Sequence, residues 1–265
     1  MASDTPARIL FRTWSSESAG VNSRQGCLSG DQDRRDVGVD EMISTFNNHR
    51  NLDNRSPTFF ISTTDDPIRA LSIAVTKGFH GEENVQIAII RSDNYMLGEE
   101  FGLAFGFKSC LFKTEFLFLW EIKATEIMHV VSLNALISRG LFKIFPVLDP
   151  ECWPDVEQAL PSLEGLRQQI HENNENAYKP IHSWPERSGR YVLAIAKLFG
   201  DNVPLCAIAS LIWDRGTHFE PDNYWEDGLQ WRVRGAIERI LEMDRRKCTY
   251  DEWCGELANN EDEED

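Results

Sequence analysis

The strongest constraint on this chain is a change of pattern near its middle. From Arg8 to about residue 150, short apolar runs recur: Arg8–Trp14, Thr58–Ser62, Val85–Arg91, Leu111–Ile122 and Ile127–Leu133. Their lengths and their aromatic and β-branched content are those of strands. In Val85–Ile90 the aliphatics recur with period two, as in a partly buried strand. After Pro146 that alternation stops. Cys152–Asn174, Ser188–Arg215 and Gly228–Lys247 read as helices, the last most clearly, with Val233, Ala236, Ile237, Ile240 and Leu241 on one apolar face. Thr249–Glu252 is a capping box for one more helix reaching about Ala258. A sheet-forming part followed by a helical part predicts an α+β fold. The division expected is a mainly β region over 1–150, a helical region over 151–258 packed on or beside it, and an acidic tail over 259–265. The segment Asn173–Ser188, with Pro180 and Pro185, is the best linker, and no internal repeat is present.

Two connections inside the β region carry detail. The polar stretch Ser15–Pro57 holds one helix, over Val39–Asn48, among Gly, Ser, Asp and Asn. A long irregular stretch within a domain is often functional. After Ser62-Thr63-Thr64, Asp66 suits a helix N-cap and Pro67 the first helical turn. Ile68, Leu71 and Val75 then give that helix an apolar face.

Composition narrows the function classes. Of 265 residues, 42% are hydrophobic, enough for one large core or two small ones. No apolar run approaches the roughly 20 residues that span a bilayer, and Met1–Trp14 lacks the apolar core of a signal peptide. A cytoplasmic or nuclear setting is therefore expected. The net charge of -16 disfavours a nucleic-acid partner, because phosphate would be repelled. The six cysteines include no CxxC pair and read as free thiols. The six histidines have no HxH or HExxH spacing, so no metal centre is expected. There is no GxxxxGK or GxGxxG phosphate loop, and Gly102–Gly106 reads as a closely packed loop. Trp213, Trp225, Trp231 and Trp253 are expected to build the helical core, with a partner surface as the alternative.

Three polar residues stand out because each sits at an apolar run in a fixed order: Arg12 in Leu10-Phe11-Arg12, Ser62 in Phe60-Ile61-Ser62-Thr63-Thr64, and Glu115 at the head of Glu115–Ile122. Together these segments resemble the ADP-ribosyltransferase fold of the arginine–serine–glutamate class, the cholera-toxin-like and pierisin-like enzymes. The first resembles that family's arginine strand, the second its serine–threonine strand, and Asp65–Val75 the helix that follows. Glu115–Ile127 has the family's spacing from a strand-opening glutamate through a turn to an isoleucine. His49–Ser62 and the helical part also resemble uncharacterised fungal proteins of this layout.

The resemblance covers roughly residues 8–150 and implies a split β-sandwich of short strands with flanking helices. It implies NAD as substrate, cleavage of the nicotinamide–ribose bond, and transfer of ADP-ribose to a protein acceptor, or to water. Arg12 would grip the phosphate and ribose of NAD through its fork of donors. Ser62 would fix the ribose or position the glutamate. Glu115 would stabilise the oxocarbenium-like sugar. Thr63 and Thr64 belong to the same binding strand, and Phe11, Phe59 and Phe60 are candidates to stack on nicotinamide.

Two positions depart from the family. Lys113 stands where the family commonly has glutamine or glutamate, two residues before the catalytic carboxylate. Leu119-Trp120-Glu121 is bulkier than the family's turn, and Glu121 and Glu126 are the alternative carboxylates. These departures motivate a second expectation: a catalytically inactive module of the same fold that binds protein partners through its helical part.

Overall fold

The structure is a computed structural model, and it describes residues 7–32, 37–50, 56–97, 114–152, 162–176, 184–217 and 232–243. It is an α+β protein built on two antiparallel sheets. Among the described residues nine strands run in chain order: β1 (Arg8–Trp14), β2 (Val21–Ser23), β3 (Gly26–Leu28), β4 (Phe60–Thr64), β5 (Gln86–Ser92), β6 (Met96–Leu97), β7 (Glu115–Leu119), β8 (Glu121–Lys123) and β9 (Ile127–Ser132). The larger sheet has the order β6-β7-β4-β1-β5-β9, and the smaller β2-β3-β8.

Eight α-helices surround or follow them among the described residues. They are α1 (Val39–Arg50), α2 (Pro67–Phe79), α3 (Leu133–Ser138), α4 (Leu141–Ile144), α5 (Leu163–Asn176), α6 (Trp184–Leu198) and α7 (Leu205–Thr217), then α8 over residues 232–243. None is long and apolar enough to cross a membrane.

The period-two pattern explains the layering. On β5, Ala88 and Ile90 face a cluster that holds Leu10 and Trp14 of β1, Cys27 of β3 and Ile122 of β8. The two sheets therefore share one apolar filling. Ile87 and Ile89 point the other way, into a cluster with Phe11, with Ile68 and Leu71 of α2, and with Val192, Phe199 and Ile212 of the later helices. Because β5 is covered on both faces, it reads as a continuous apolar run. A third cluster, Phe46, Phe59, Phe60 and Leu117, seats α1 over the β4–β7 end of the large sheet.

The later helices are thus part of the same core as the sheet, and the Phe11 and Phe199 rings lie 5.4 Å apart across that boundary. Trp213 is buried there as the sequence predicts. Trp225, Trp231, Trp253, the Thr249–Glu252 capping box, Gly102–Gly106 and the acidic tail fall outside the described residues. The expected linker Asn173–Ser188 begins in the last turn of α5 and ends in α6, and 177–183 are not among the described residues.

Three expectations need correction in detail. The run Leu111–Ile122 is not one strand: β7 ends at Leu119 and β8 begins at Glu121 in the other sheet. Trp120 is the corner, at φ 62. A left-handed bulky residue costs about 1–2 kcal/mol. The strain is offset by its N–H donating to Phe59 O at 2.8 Å and its carbonyl accepting from Ser29 N at 2.8 Å. The helix expected over Ser188–Arg215 is two helices, because Gly200 turns at φ 119 and Pro204 follows. The polar stretch Ser15–Pro57 contains the hairpin β2–β3 as well as the expected helix; strands of three residues leave no readable alternation.

Asp66 ties these layers together. It caps α2, its Oδ1 accepting from Ile68 N at 2.9 Å and Arg69 N at 3.1 Å. Its Oδ2 accepts from Arg167 on α5, although Asp66 is completely buried. Asp66→Asn keeps the cap and removes the charge, whereas Asp66→Ala removes both. Losing the partner of a buried ion costs about 3–5 kcal/mol, and losing the cap about 1 kcal/mol more. Urea unfolding should therefore rank wild type above Asp66→Asn above Asp66→Ala. Equal midpoints for the two variants would remove the cap from the account.

Candidate functional site

β4 and β7 place the site. Their antiparallel register pairs Ser62 with Leu117 and Thr64 with Glu115. Since residues i and i+2 share a face, Ser62 and Glu115 project from the same face of the sheet. The Ser62 hydroxyl donates to Glu115 Oε1 at 2.5 Å. Arg69, from the first turn of α2, donates through Nη1 to Thr114 Oγ1 at 2.9 Å, beside the carboxylate.

A histidine completes the row. His49, near the end of α1, lies with Nε2 at 2.5 Å from Ser62 Oγ and Nδ1 at 2.8 Å from Thr58 Oγ1. Proton counting fixes the roles. Ser62 spends its one proton on Glu115, so it accepts from His49 Nε2–H. Nδ1 is then the bare nitrogen and accepts from the Thr58 hydroxyl. The polarity runs Thr58 to His49 to Ser62 to Glu115, and ends on a carboxylate that only accepts.

The electrostatics agree with a neutral imidazole. Burial and then the Arg12 charge lower the His49 pKa from 6.5 to about 4. Burial raises the Glu115 pKa, opposed by the Ser62 hydrogen bond and the Arg69 charge. A histidine whose folded pKa is lowered favours the folded state above its unfolded pKa, and stability falls as acid protonates the unfolded chain first. The His49 contribution is therefore lost between about pH 6.5 and pH 4. An NMR titration should show one imidazole with a midpoint near 4, assigned to His49 by its absence in His49→Gln. A midpoint near 6.5 would show that the ring is not held buried beside Arg12.

Arg12 approaches from the other side. Phe11 pairs with Thr64, the single ladder pair between β1 and β4. Arg12, one residue on, shares the face of Leu10 and Trp14, towards the small sheet. The thin ladder leaves the Ser62 carbonyl open, and Arg12 Nη1 donates to it at 3.0 Å. Nε donates to Asn22 Oδ1 at 2.9 Å. Burial lowers the Arg12 pKa, opposed by the neighbouring Cys27 thiol, whose own pKa burial raises. Arg12 thus grips the backbone beneath Ser62, and its charge is felt at His49.

The other candidates separate. Phe11 is fully buried against Phe199 and presents no ring face. Phe59 and Phe60 are buried under α1, with Phe59 4.6 Å from Phe60 and 6.0 Å from Trp120. Thr63 donates to Phe116 O at 2.9 Å, on the opposite face. Thr64 Oγ1 accepts from Asp66 N at 3.2 Å and shapes the turn into α2. Glu126 accepts from Ser92 Oγ and from Lys123 N, closing a 3-10 turn. Glu121 pairs with Leu28 in the small sheet. Of the three carboxylates, only Glu115 meets Ser62. Lys113 lies outside the described residues.

His49 and Arg69 are the members not picked out from the sequence. A signal for His49 existed: Met42, Phe46 and His49 stand at i, i+4 and i+7 on α1, and Met42 and Phe46 belong to the apolar cluster on the sheet. Helical phase alone therefore carries His49 to the sheet.

Residues 5–136 match the model of one protein family, described as a domain of unknown function (DUF7587). That segment contains both sheets, α1, α2 and the residues joined to Ser62 and Glu115, from Arg12 to Glu115. No curated protein and no solved structure matches the chain.

Proposed function

We propose that the chain is an NAD-dependent mono-ADP-ribosyltransferase on a split β-sandwich of the arginine–serine–glutamate class. It breaks the bond between C1 of the ribose and the nicotinamide nitrogen, releases neutral nicotinamide, and passes ADP-ribose to a protein acceptor or to water. The observation that carries the reading is the 2.5 Å hydrogen bond from Ser62 Oγ to Glu115 Oε1, between the paired strands β4 and β7.

The chemistry follows from that pair. As the C–N bond lengthens, positive charge builds on the sugar, and a fixed carboxylate stabilises it where it develops. Burial strips water from Glu115, which strengthens this attraction. Ser62 holds one oxygen and leaves the other for the ribose. His49 holds Ser62 in turn, with its own rotamer set by Thr58. Arg12 supports the Ser62 backbone by donating to its carbonyl.

The test is incubation with NAD labelled on the adenine, following nicotinamide release and the fate of the label. Label on protein indicates transfer, and free ADP-ribose indicates hydrolysis. A second reading, an inactive module that binds protein partners, is favoured by one observation: the Arg12 guanidinium is already engaged by Asn22 and the Ser62 carbonyl. It predicts no nicotinamide release at all.

A further inference from the structure

Away from the Ser62–Glu115 pair lies a cavity of about 830 Å³ between the start of β1, the turn after β4 and helices α7 and α8. Neither Ser62 nor Glu115 lines it. One wall is apolar, made by Val203, Leu205, Leu211 and Leu241. A volume of roughly 300–1,000 Å³ is that of small-molecule sites.

Its polar lining is not evenly spent. Asp65 has a side chain only 5% exposed, and its Oδ2 accepts from Arg215 Nη2 at 2.5 Å. Its Oδ1 is buried with no hydrogen-bond partner. An unsatisfied buried polar atom is rare and calls for a partner. Arg8, the second cation near Asp65, is looser at 3.7 Å and rests over the Phe116 ring. Asp201 is a further, exposed acid of the lining. Arg234, which also lines the cavity, points its Nε at Glu238 at 3.3 Å.

We propose that this cavity binds an organic cation, an apolar body carrying a primary ammonium. The ammonium pairs with the Asp65 carboxylate, and the body lies along Val203–Leu211. Three observations favour a cation over an anion. The unspent group is an acceptor, the second acid adds to it, and the chain's net charge of -16 concentrates cations around it. Burial also raises the Asp65 pKa, so a bound cation relieves a charge that the protein carries at a cost.

Calorimetry on the full chain with three isosteric probes tests this: 4-phenylbutylammonium, 4-phenylbutan-1-ol and 4-phenylbutyrate. The ammonium should bind about tenfold or more tightly than the alcohol, since a hydrogen bond to a charged group adds that much, and the carboxylate should not bind. Asp65→Asn should erase the preference for the ammonium. Because that variant also strips a partner from Arg215, Ala207→Trp at the exposed rim provides the second arm: its indole narrows the cavity and should weaken ammonium binding several-fold in a folded protein. Equal affinity for ammonium and alcohol, tighter binding of the carboxylate, unchanged affinity in Ala207→Trp, or no binding of the ammonium would each overturn the proposal.

Discussion

Glu115→Gln should release nicotinamide from NAD about 10²–10³-fold more slowly than wild type, the usual loss when one preorganised charge-stabilising group is removed. The same change should leave the protein no less stable. Glutamine keeps the shape and still accepts from Ser62 Oγ, now at 2.5 Å from a carboxylate oxygen. The sign of the stability effect follows from the pKa shift. Burial raises the folded pKa of Glu115. An acid raised in this way favours the folded state below its unfolded pKa, and that advantage is lost as pH rises through the folded value. At neutral pH the buried charge therefore costs stability, and an amide removes the cost. Activity falling while the melting temperature holds or rises is the pattern of a residue kept for chemistry. Activity and stability falling together would make Glu115 a structural strand residue.

Phe199→Ala should cost about 3–5 kcal/mol, the range for emptying a buried phenylalanine site. Phe199 is fully buried, and its ring meets Phe11 on β1 5.4 Å away. The loss should appear in one cooperative urea transition, because a single buried cluster joins the sheet, α2 and the helices α5 to α8. Two separate transitions, with the sheet unaffected, would show the helices to be an independent domain. By the same logic, removing residues 188–265 should unmask Phe11, Ile87 and Ile89 and unfold the sheet.

Much of the fold was legible because local signals agreed. β1 was readable over its whole length, Arg8–Trp14, and α2 from its cap Asp66 and Pro67. Strand alternation and capping chemistry are local, so they survive in the sequence. What escaped depended on contacts between distant segments. The break at Trp120 needs the Phe59 carbonyl to accept from its N–H and the Ser29 N–H to donate to its carbonyl, and neither is near it in sequence. β2 and β3 form a sheet only because β8, distant in sequence, pairs with β3.

The site divides in the same way. Ser62 and Glu115 could be named because each interrupts or opens an apolar run, and the register then brought them together. Arg12 was found, but its direction was not, since one residue of phase decides which face it takes. It lies between the sheets and reaches the backbone of Ser62 from there. Phe11 looked like a ligand-facing ring only until the later helices closed over it. His49 lies in a polar stretch without a motif, and only its spacing from Phe46 and Met42 marks it.

The most direct test of the account is nicotinamide release from NAD by the wild-type chain, followed by chromatography beside Glu115→Gln and a protein-free control. Wild type should release nicotinamide steadily, with Glu115→Gln close to the control. Release by wild type no faster than the protein-free control, from protein shown to be folded, would contradict it.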